Sequence, residues 1–557
     1  MRKAAGLMGP SEDELVLLPL GGAGEIGMNF NAYGFGPPDA RKWLIVDCGV
    51  LFGRETDTPG VDVILPDIRY LEERRQDILA IVLTHAHEDH IGAIGHLWPK
   101  LMCPLYATPF TARLIEDKLA EAGLQDHVKT RIVKLGGQIK LGPYEIEFHS
   151  ITHSIPEPNA LVIRTPLGTV MHTGDWKLDP DPLIGAPTNE AEFRRIGDEG
   201  VLAMVCDSTN ALVQGHSGSE ADVKKGLTDL IGTLKGKVAV TGFASNLARL
   251  QSVAEAARAH GREVALVGRS MHRITSAARE TGYMKDFPRV IDEEEAAELP
   301  SDRVLYLCTG SQGEPRAALA RIARGDHPFV ELGQGDAVIF SSRIIPGNDI
   351  AIHELHNQLS ELGVEVLTVE DHFVHVSGHP CREELSEMYR LIRPQIAVPV
   401  HGELRHMSEH ARLARSLQVP QAVVVQNGDM LRLAPGRAQV IDEVPAGRVY
   451  MDGRVMTEAD EGLTRHRRAM AFAGFIGVTL ALDAKGRLAG EPSYFFEGVP
   501  EDVQEPVRDA VAETVKRHNP KRADEEDLKE QVRRAARRAG NDAWGKKPVT
   551  RVEILWV

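Results

Sequence analysis

The sequence predicts an α/β protein of more than one domain, on three observations. The first is length: 557 residues exceed the roughly 250–300 that one hydrophobic core sustains. The second is a strand-sized apolar run, Ile78-Leu79-Ala80-Ile81-Val82-Leu83, that meets Thr84–His90, THAHEDH, before a helix opens at Ile91-Gly92-Ala93-Ile94. The third is a regular alternation of short β-rich runs with helical stretches from about Ser217 onward. That alternation is the pattern of a parallel sheet covered by helices.

Composition narrows the class. A hydrophobic content of 43% and a charged content of 26% are those of an ordinary globular chain. The net charge of −16 argues against a bulk electrostatic grip on nucleic acid and leaves that task to a local basic channel or a bound metal. Five cysteines (Cys48, Cys103, Cys206, Cys308, Cys381), scattered and never spaced C-x-x-C, read as reduced thiols. MRKAAGLMGPSEDE has no apolar signal-peptide core, and Ala469–Leu482 is too short and too interrupted by glycine to span a bilayer. A cytoplasmic protein without a membrane partner is expected.

Taking the chain in order, Leu15–Leu20 reads as a strand that runs into Gly21-Gly22-Ala23-Gly24-Glu25-Ile26-Gly27. Gly22, Gly24 and Gly27 satisfy G-x-G-x-x-G, and Asp47 follows 20 residues later, so by pattern alone this is a dinucleotide fingerprint. That chemistry needs a helix N-terminus aimed at a pyrophosphate. Met28–Gly36, MNFNAYGFG, leading into Pro37-Pro38, reads instead as a strand and a turn. A glycine-rich hairpin is expected, and NAD binding is not. Trp43–Val46 is the next strand and ends at Asp47.

His85 and His87 stand two apart, so on an extended strand end both point to one side. Asp89 and His90 follow as the chain turns. Four ligand-type residues within six positions suit a borderline cation such as Zn²⁺, which takes imidazole nitrogen and carboxylate oxygen. Two more stand at strand ends, where loops gather into sites: His153 after Tyr144–His149, and Asp175 after Thr169–His172.

In the second half, strands Val238–Val240, Val264–Val267, Val304–Leu307 and Ala337–Phe340 alternate with helices such as Glu220–Leu234 and Leu247–His260. Their C-terminal ends carry TGFASN (241–246), GRS (268–270), CTGSQGEP (308–315) and SSRIIPGN (341–348). Small and polar residues of this kind occur where open α/β sheets bind ligands. Asp371–His379, DHFVHVSGH, packs three histidines beside a Ser-Gly turn, and the strand Ile396–Val400 delivers His401-Gly402-Glu403. A Ser377 hydroxyl, a Gly378 N–H and nearby imidazoles make a nest for an anion. Toward the C-terminus, Phe475–Leu482, Tyr494–Phe496 and Val552–Trp556 read as strands, with helices at about 502–518 and 524–539. Basic clusters at Arg465–Arg468, Lys516–Arg522 and Arg533–Arg538 read as solvated helix faces.

With Asp207 in Cys206-Asp207-Ser208-Thr209-Asn210, these runs resemble the ribonuclease J family, in the β-CASP branch of the metallo-β-lactamase superfamily. H-x-H-x-D-H is the superfamily's signature. Asp207, His379 and His401 match the branch's three further motifs, and TGSQGEP, HVSGH and VHGE look like this family in particular. The resemblance covers about residues 15–445 with dense motifs and extends more loosely to the C-terminus; no ligand position departs from the pattern. His96, His149 and His172 match no motif position and are left unassigned.

The resemblance implies a fold: a metallo-β-lactamase αββα sandwich split into residues 1–214 and 369–447, with an inserted β-CASP parallel α/β domain at 215–368. A linker at 448–461 and a small α+β domain at 462–557 follow. It implies two Zn²⁺ per chain, one on His85, His87 and His153, the other on Asp89, His90 and His401, with Asp175 bridging and Asp47 supporting the loop from outside. Asp207 and His379 would do acid–base work, Asp207 as donor and His379 as acceptor. His375, Val376, Ser377, Gly378 and His379, faced by Ser245 and Asn246, would hold RNA phosphate, including a 5′-monophosphate.

The implied reaction is attack of water on an RNA phosphodiester, leaving a 5′-phosphate and a 3′-hydroxyl. The implied enzyme is a zinc-dependent 5′→3′ exoribonuclease with endonuclease activity, in mRNA decay and rRNA maturation. It would act as a homodimer or homotetramer, with other RNA-decay proteins as partners. Two rivals share the sequence: a DNA nuclease or small-thioester hydrolase on the same metal core, and a catalytically silent RNA-binding scaffold. The inserted domain argues against the thioesterase, and the complete ligand set argues against the scaffold.

Overall fold

The computed structural model describes residues 12–54, 56–345, 347–518 and 525–557. The N-terminal residues before Glu12, Pro346 of the SSRIIPGN run and part of the Lys516–Arg522 cluster lie outside the described residues. The chain divides into two compact units: Leu65–Gly447 with the N-terminal part to Leu51, and Phe52–Ile64 with Arg448–Val557.

The first unit is built on two facing sheets. One has eight strands, with Glu14–Gly21, Phe30–Gly36, Lys42–Val46 and Ile78–Val82 as central neighbours. The other has seven, running from Gln138–Leu141 through Tyr144–Ser150, Asn159–Thr165, Gly168–His172, Ala203–Asp207 and Ile396–Val400 to Gln421–Ala422. Side chains alternate along each strand, so Leu44 and Val46 meet Phe148, Leu161 and Val205 in the core between the sheets. Tyr144 locks the two sheets, its hydroxyl donating to the carbonyls of Tyr33 and Lys42 at 2.8 Å each. On the outer face of the second sheet, Glu190–Glu199, Arg382–Ile392 and Leu404–Ser416 cover a second core that includes Phe193, Leu385 and Ala414. This is the αββα sandwich.

The inserted sheet is parallel throughout. Its order is Val290–Ile291, Glu263–Val267, Val304–Cys308, Val238–Thr241, Ala337–Phe340, Glu365–Leu367. Helices Glu220–Thr233 and Leu247–Ala259 follow the predicted alternation. The glycine run behaves as a hairpin connection: Glu14–Gly21 pairs antiparallel with Phe30–Gly36, and no helix follows the glycines.

In the second unit, Phe475–Leu482 is the central strand between Ser493–Glu497 and Val549–Trp556. Helices Glu501–Lys516 and Glu525–Trp544 cover one face through Val503, Val507, Leu528 and Val532. Residues 448–461, expected as a linker, instead carry a hairpin of Arg448–Asp452 and Val455–Glu458. It is joined to residues 52–64, where Asp62 N–H donates to the Met451 carbonyl at 3.0 Å. Residues 52–64, expected within the first part of the sandwich, cluster with this unit. Among the described residues no helix is long and apolar enough to cross a membrane.

Candidate active site

Parallel pairing builds the site. Gly168–His172, Ala203–Asp207 and Ile396–Val400 run side by side, with His172 opposite Val205 and Asp207 opposite Val400. Their C-terminal ends therefore bring Asp175, Asp207 and His401 to one rim of the second sheet. The facing strand Ile78–Val82 delivers Thr84–His90 to the same rim. Among the described residues three largely buried groups result: His85, His87, His153 and Asp175; Asp89, His90, Asp175 and His401; and Asp207, His379 and His401. Within each group the ligand-type atoms lie within 4.8 Å of one another.

The geometry suits cations. His85 Nε2 and His153 Nε2 stand 3.0 and 3.1 Å from His87 Nδ1. Burial, the largest influence on each ring, holds His87 down to about 4 and pushes His85 and His153 well below the imidazole range. Neutral imidazole nitrogens converging this closely can offer their lone pairs together to one cation. Asp175 Oδ2 is 3.1 Å from His90 Nε2, 3.4 Å from His401 Nε2, and 3.7 and 3.8 Å from His85 and His153. Burial opposes its ionisation, but His401 and His90 outweigh that and keep its carboxyl well below the usual range.

Outer contacts aim these ligand-type side chains. Asp47 accepts from the Thr84 N–H at 2.8 Å, from the Thr84 hydroxyl at 2.9 Å and from His90 Nδ1 at 2.7 Å. It does so from a backbone with φ of 65°, a left-handed conformation that a non-glycine residue keeps only when surroundings enforce it. His153 Nδ1 donates to the Gly378 carbonyl at 2.6 Å, which leaves Nε2 facing the cluster. His401, at φ 51°, receives the Gly27 N–H at 3.3 Å.

His379 Nδ1 lies 2.8 Å from Asp207 Oδ2, and Asp207 Oδ1 accepts from the Thr209 N–H at 2.8 Å. Burial opposes protonation of His379, but Asp207 and then Asp175 outweigh it and raise the ring to about 9. Its surroundings thus favour the protonated form of the His379 ring, whereas the resemblance makes Asp207 the donor.

The expected phosphate residues differ in how free they are. Ser377 Oγ accepts from Asn210 Nδ2 at 2.7 Å and from the His379 N–H at 3.2 Å, which leaves its own proton to donate. Gly378 sits so close to His153 that a Cβ would lie 2.8 Å from its ring. Val376 is buried, and a Cβ on Gly218 would lie 2.8 Å from its Cγ1. Ser245 is half-buried just before the helix Leu247–Ala259. Asn246 is committed elsewhere: its side-chain oxygen caps that helix at the Arg249 N–H, 3.0 Å away, and its amide reaches Glu220 Oε1 at 3.3 Å. His149 and His172 turn to Glu147 and Tyr33. Asn210 was not singled out from the sequence, although it lies in the same short run as Asp207.

Four family models match the chain. They are the metallo-beta-lactamase superfamily over residues 32–201, the ribonuclease J beta-CASP domain over 235–359, a Zn-dependent metallo-hydrolase RNA specificity domain over 363–423, and the ribonuclease J C-terminal domain over 462–557. Ribonuclease J of Sinorhizobium meliloti is 49% identical over 553 residues, covering 98% of each chain. Ribonuclease J of Mycolicibacterium smegmatis is 42% identical over 502 residues, 88% of each chain. That of Thermus thermophilus is 39% identical over 483 residues, 85% of this chain and 83% of its own. A crystal structure of a protein of unknown function from Enterococcus faecalis shares the fold, with a TM-score of 0.53 at 16% identity over 75% of this chain and all of its own. With identity that runs through the sandwich, the inserted domain and the C-terminal domain, the chain belongs to the ribonuclease J family and is a metal-dependent ribonuclease that hydrolyses phosphodiester bonds.

Proposed function

We propose that the enzyme is a zinc-dependent 5′→3′ exoribonuclease with two Zn²⁺ per chain, favouring 5′-monophosphate ends and also cutting internally. Its setting is the cytoplasm, in mRNA decay and rRNA maturation, as a homodimer or homotetramer that works beside other RNA-decay proteins. One observation carries the reading: two candidate ligand clusters share Asp175, whose Oδ2 lies 3.9 Å from Nδ1 of the His379 that pairs with Asp207.

His85, His87 and His153 would hold one cation and Asp89, His90 and His401 the other, with Asp175 between them. When bound, such cations supply a polarised water as nucleophile and stabilise charge on a non-bridging phosphoryl oxygen. Asp207 keeps the His379 ring oriented through Nδ1, and the pair delivers a proton to the departing 3′-oxygen. Ser377, with its proton free, and His375 hold the adjacent phosphate. Thr209 steadies both sides of this machinery, its N–H on Asp207 and its hydroxyl on the His401 carbonyl at 3.1 Å.

The test is hydrolysis of matched RNA and DNA strands by protein of measured metal content, with both product ends mapped. About two zincs per chain and RNA products ending in 5′-phosphate and 3′-hydroxyl are expected. Equal turnover of DNA, or 2′,3′-cyclic ends, would defeat the reading.

A further inference from the structure

Arg249, on the helix Leu247–Ala259, is 3% exposed, and so is a charge the reaction does not use. Its Nη2 donates to both oxygens of the equally buried Glu220, at 2.9 and 3.0 Å, and its Nε adds a third bond at 3.2 Å. Its Nη1 faces Ser341 Oγ at 2.6 Å, the Ser341 carbonyl at 3.0 Å, the Val374 carbonyl at 3.2 Å and His375 Nδ1 at 3.2 Å. Glu220 stands where the chain leaves the sandwich for the inserted domain, and Val374–His375 where it returns. One guanidinium ties both passages to the end of the strand Ala337–Phe340.

A guanidinium has donors only and keeps its charge. An imidazole nitrogen that bonds to it presents a lone pair, because an N–H there would set donor against donor. We propose that Arg249 is a positioning residue that holds His375 as a neutral imidazole with its proton on Nε2, the one N–H the ring then offers an RNA phosphate. The functional half of this rests on His375 as a phosphate contact; the tautomer does not. The competing arrangement turns Nδ1–H to the second lone pair of the Ser341 carbonyl and leaves Nη1 to Ser341 and Val374 alone, and the tautomer of the ring separates the two.

The charges facing His375 agree. Burial first, then Arg249, Arg343 and Lys177, hold the ring well below the imidazole range. The carboxylates nearest these cations are engaged: Glu220 by Arg249, and Asp179 by Lys177 at 2.8 Å. The grip on phosphate then stays constant as pH crosses the range where a free histidine would gain charge.

Two measurements on the full-length, zinc-loaded protein decide the matter. With ¹⁵N-labelled histidine, the His375 signals are identified by their loss in His375→Ala. The neutral Nε2–H tautomer should persist from roughly pH 5 to 8; an Nδ1–H tautomer, or a titration midpoint inside that window, overturns the proposal. The second measurement is the same spectrum in Arg249→Lys. Lysine keeps a charge opposite Glu220 but lacks the fork that reaches Nδ1. The Nδ1–H tautomer should appear in this variant, its proton turned to the Ser341 carbonyl, while the ring stays neutral. An unchanged Nε2–H signal in the variant overturns the proposal. Should Arg249→Lys not fold, the wild-type tautomer still decides. If His375→Ala leaves KM on a 5′-monophosphate RNA unchanged, the phosphate reading falls while the tautomer result stands.

Discussion

His90 Nδ1 lies 2.7 Å from Asp47 Oδ2, with both side chains almost wholly excluded from solvent. Asp47 is in neither candidate ligand cluster, yet it fixes the ring of His90 and the backbone of the loop that carries four ligand-type residues. Asp47→Ala should lower metal affinity about ten- to a hundredfold, the usual effect of losing such a support. It should also cost roughly 1–3 kcal/mol of stability, because the Thr84 N–H loses its buried acceptor. Zinc titration and thermal unfolding check both halves.

His87→Ala and Asp89→Ala should fold and show almost no hydrolysis, as should wild type after chelation. Cys206→Ala, beside the site, should stay active, since burial pushes that thiol up and away from thiolate. Near-normal turnover of the Asp89 variant with zinc removed would overturn the ligand assignment.

Gly22, Gly24 and Gly27 match a dinucleotide fingerprint, but a strand follows where a helix N-terminus is required. Isothermal calorimetry should find no binding of NAD or NADP at millimolar concentration. Saturable micromolar binding would mean that this loop does more than connect two strands.

How much of this was legible in the sequence depends on how local the cause is. The ligand-rich runs sit at strand ends, and the strands themselves are short apolar runs, so both could be read residue by residue. What escaped depends on partners far along the chain. Gly49 looks like any loop glycine, but a Cβ there would lie 1.7 Å from the Asp89 carbonyl oxygen. Arg249 reads as an exposed helix charge until Glu220, Ser341 and Val374 are brought around it. Asn246 looks free to bind phosphate, yet it caps a helix. Residues 52–64 carry no compositional mark of their attachment to the hairpin at 448–458.

Ser377, in the turn proposed to hold phosphate, accepts through its hydroxyl oxygen from Asn210 and from the His379 N–H, which leaves its proton to donate. A hydrogen bond to a charged group contributes roughly 1.5–3 kcal/mol, so Ser377→Ala should lower exonucleolytic kcat/KM about ten- to a hundredfold. Internal cleavage, which presents no free 5′ end, should fall less. His87→Ala should abolish both activities together.

The central claim is that one metal centre degrades RNA from a 5′ end which the adjoining turn reads. The direct measurement is a time course on one RNA carrying a 5′-monophosphate, a 5′-hydroxyl or a 5′-triphosphate. The account predicts fastest loss of the monophosphate form, with 5′-mononucleotides accumulating from the first time points, and slow entry for the triphosphate, whose added charge and bulk the compact turn rejects. Equal rates on all three ends would contradict it.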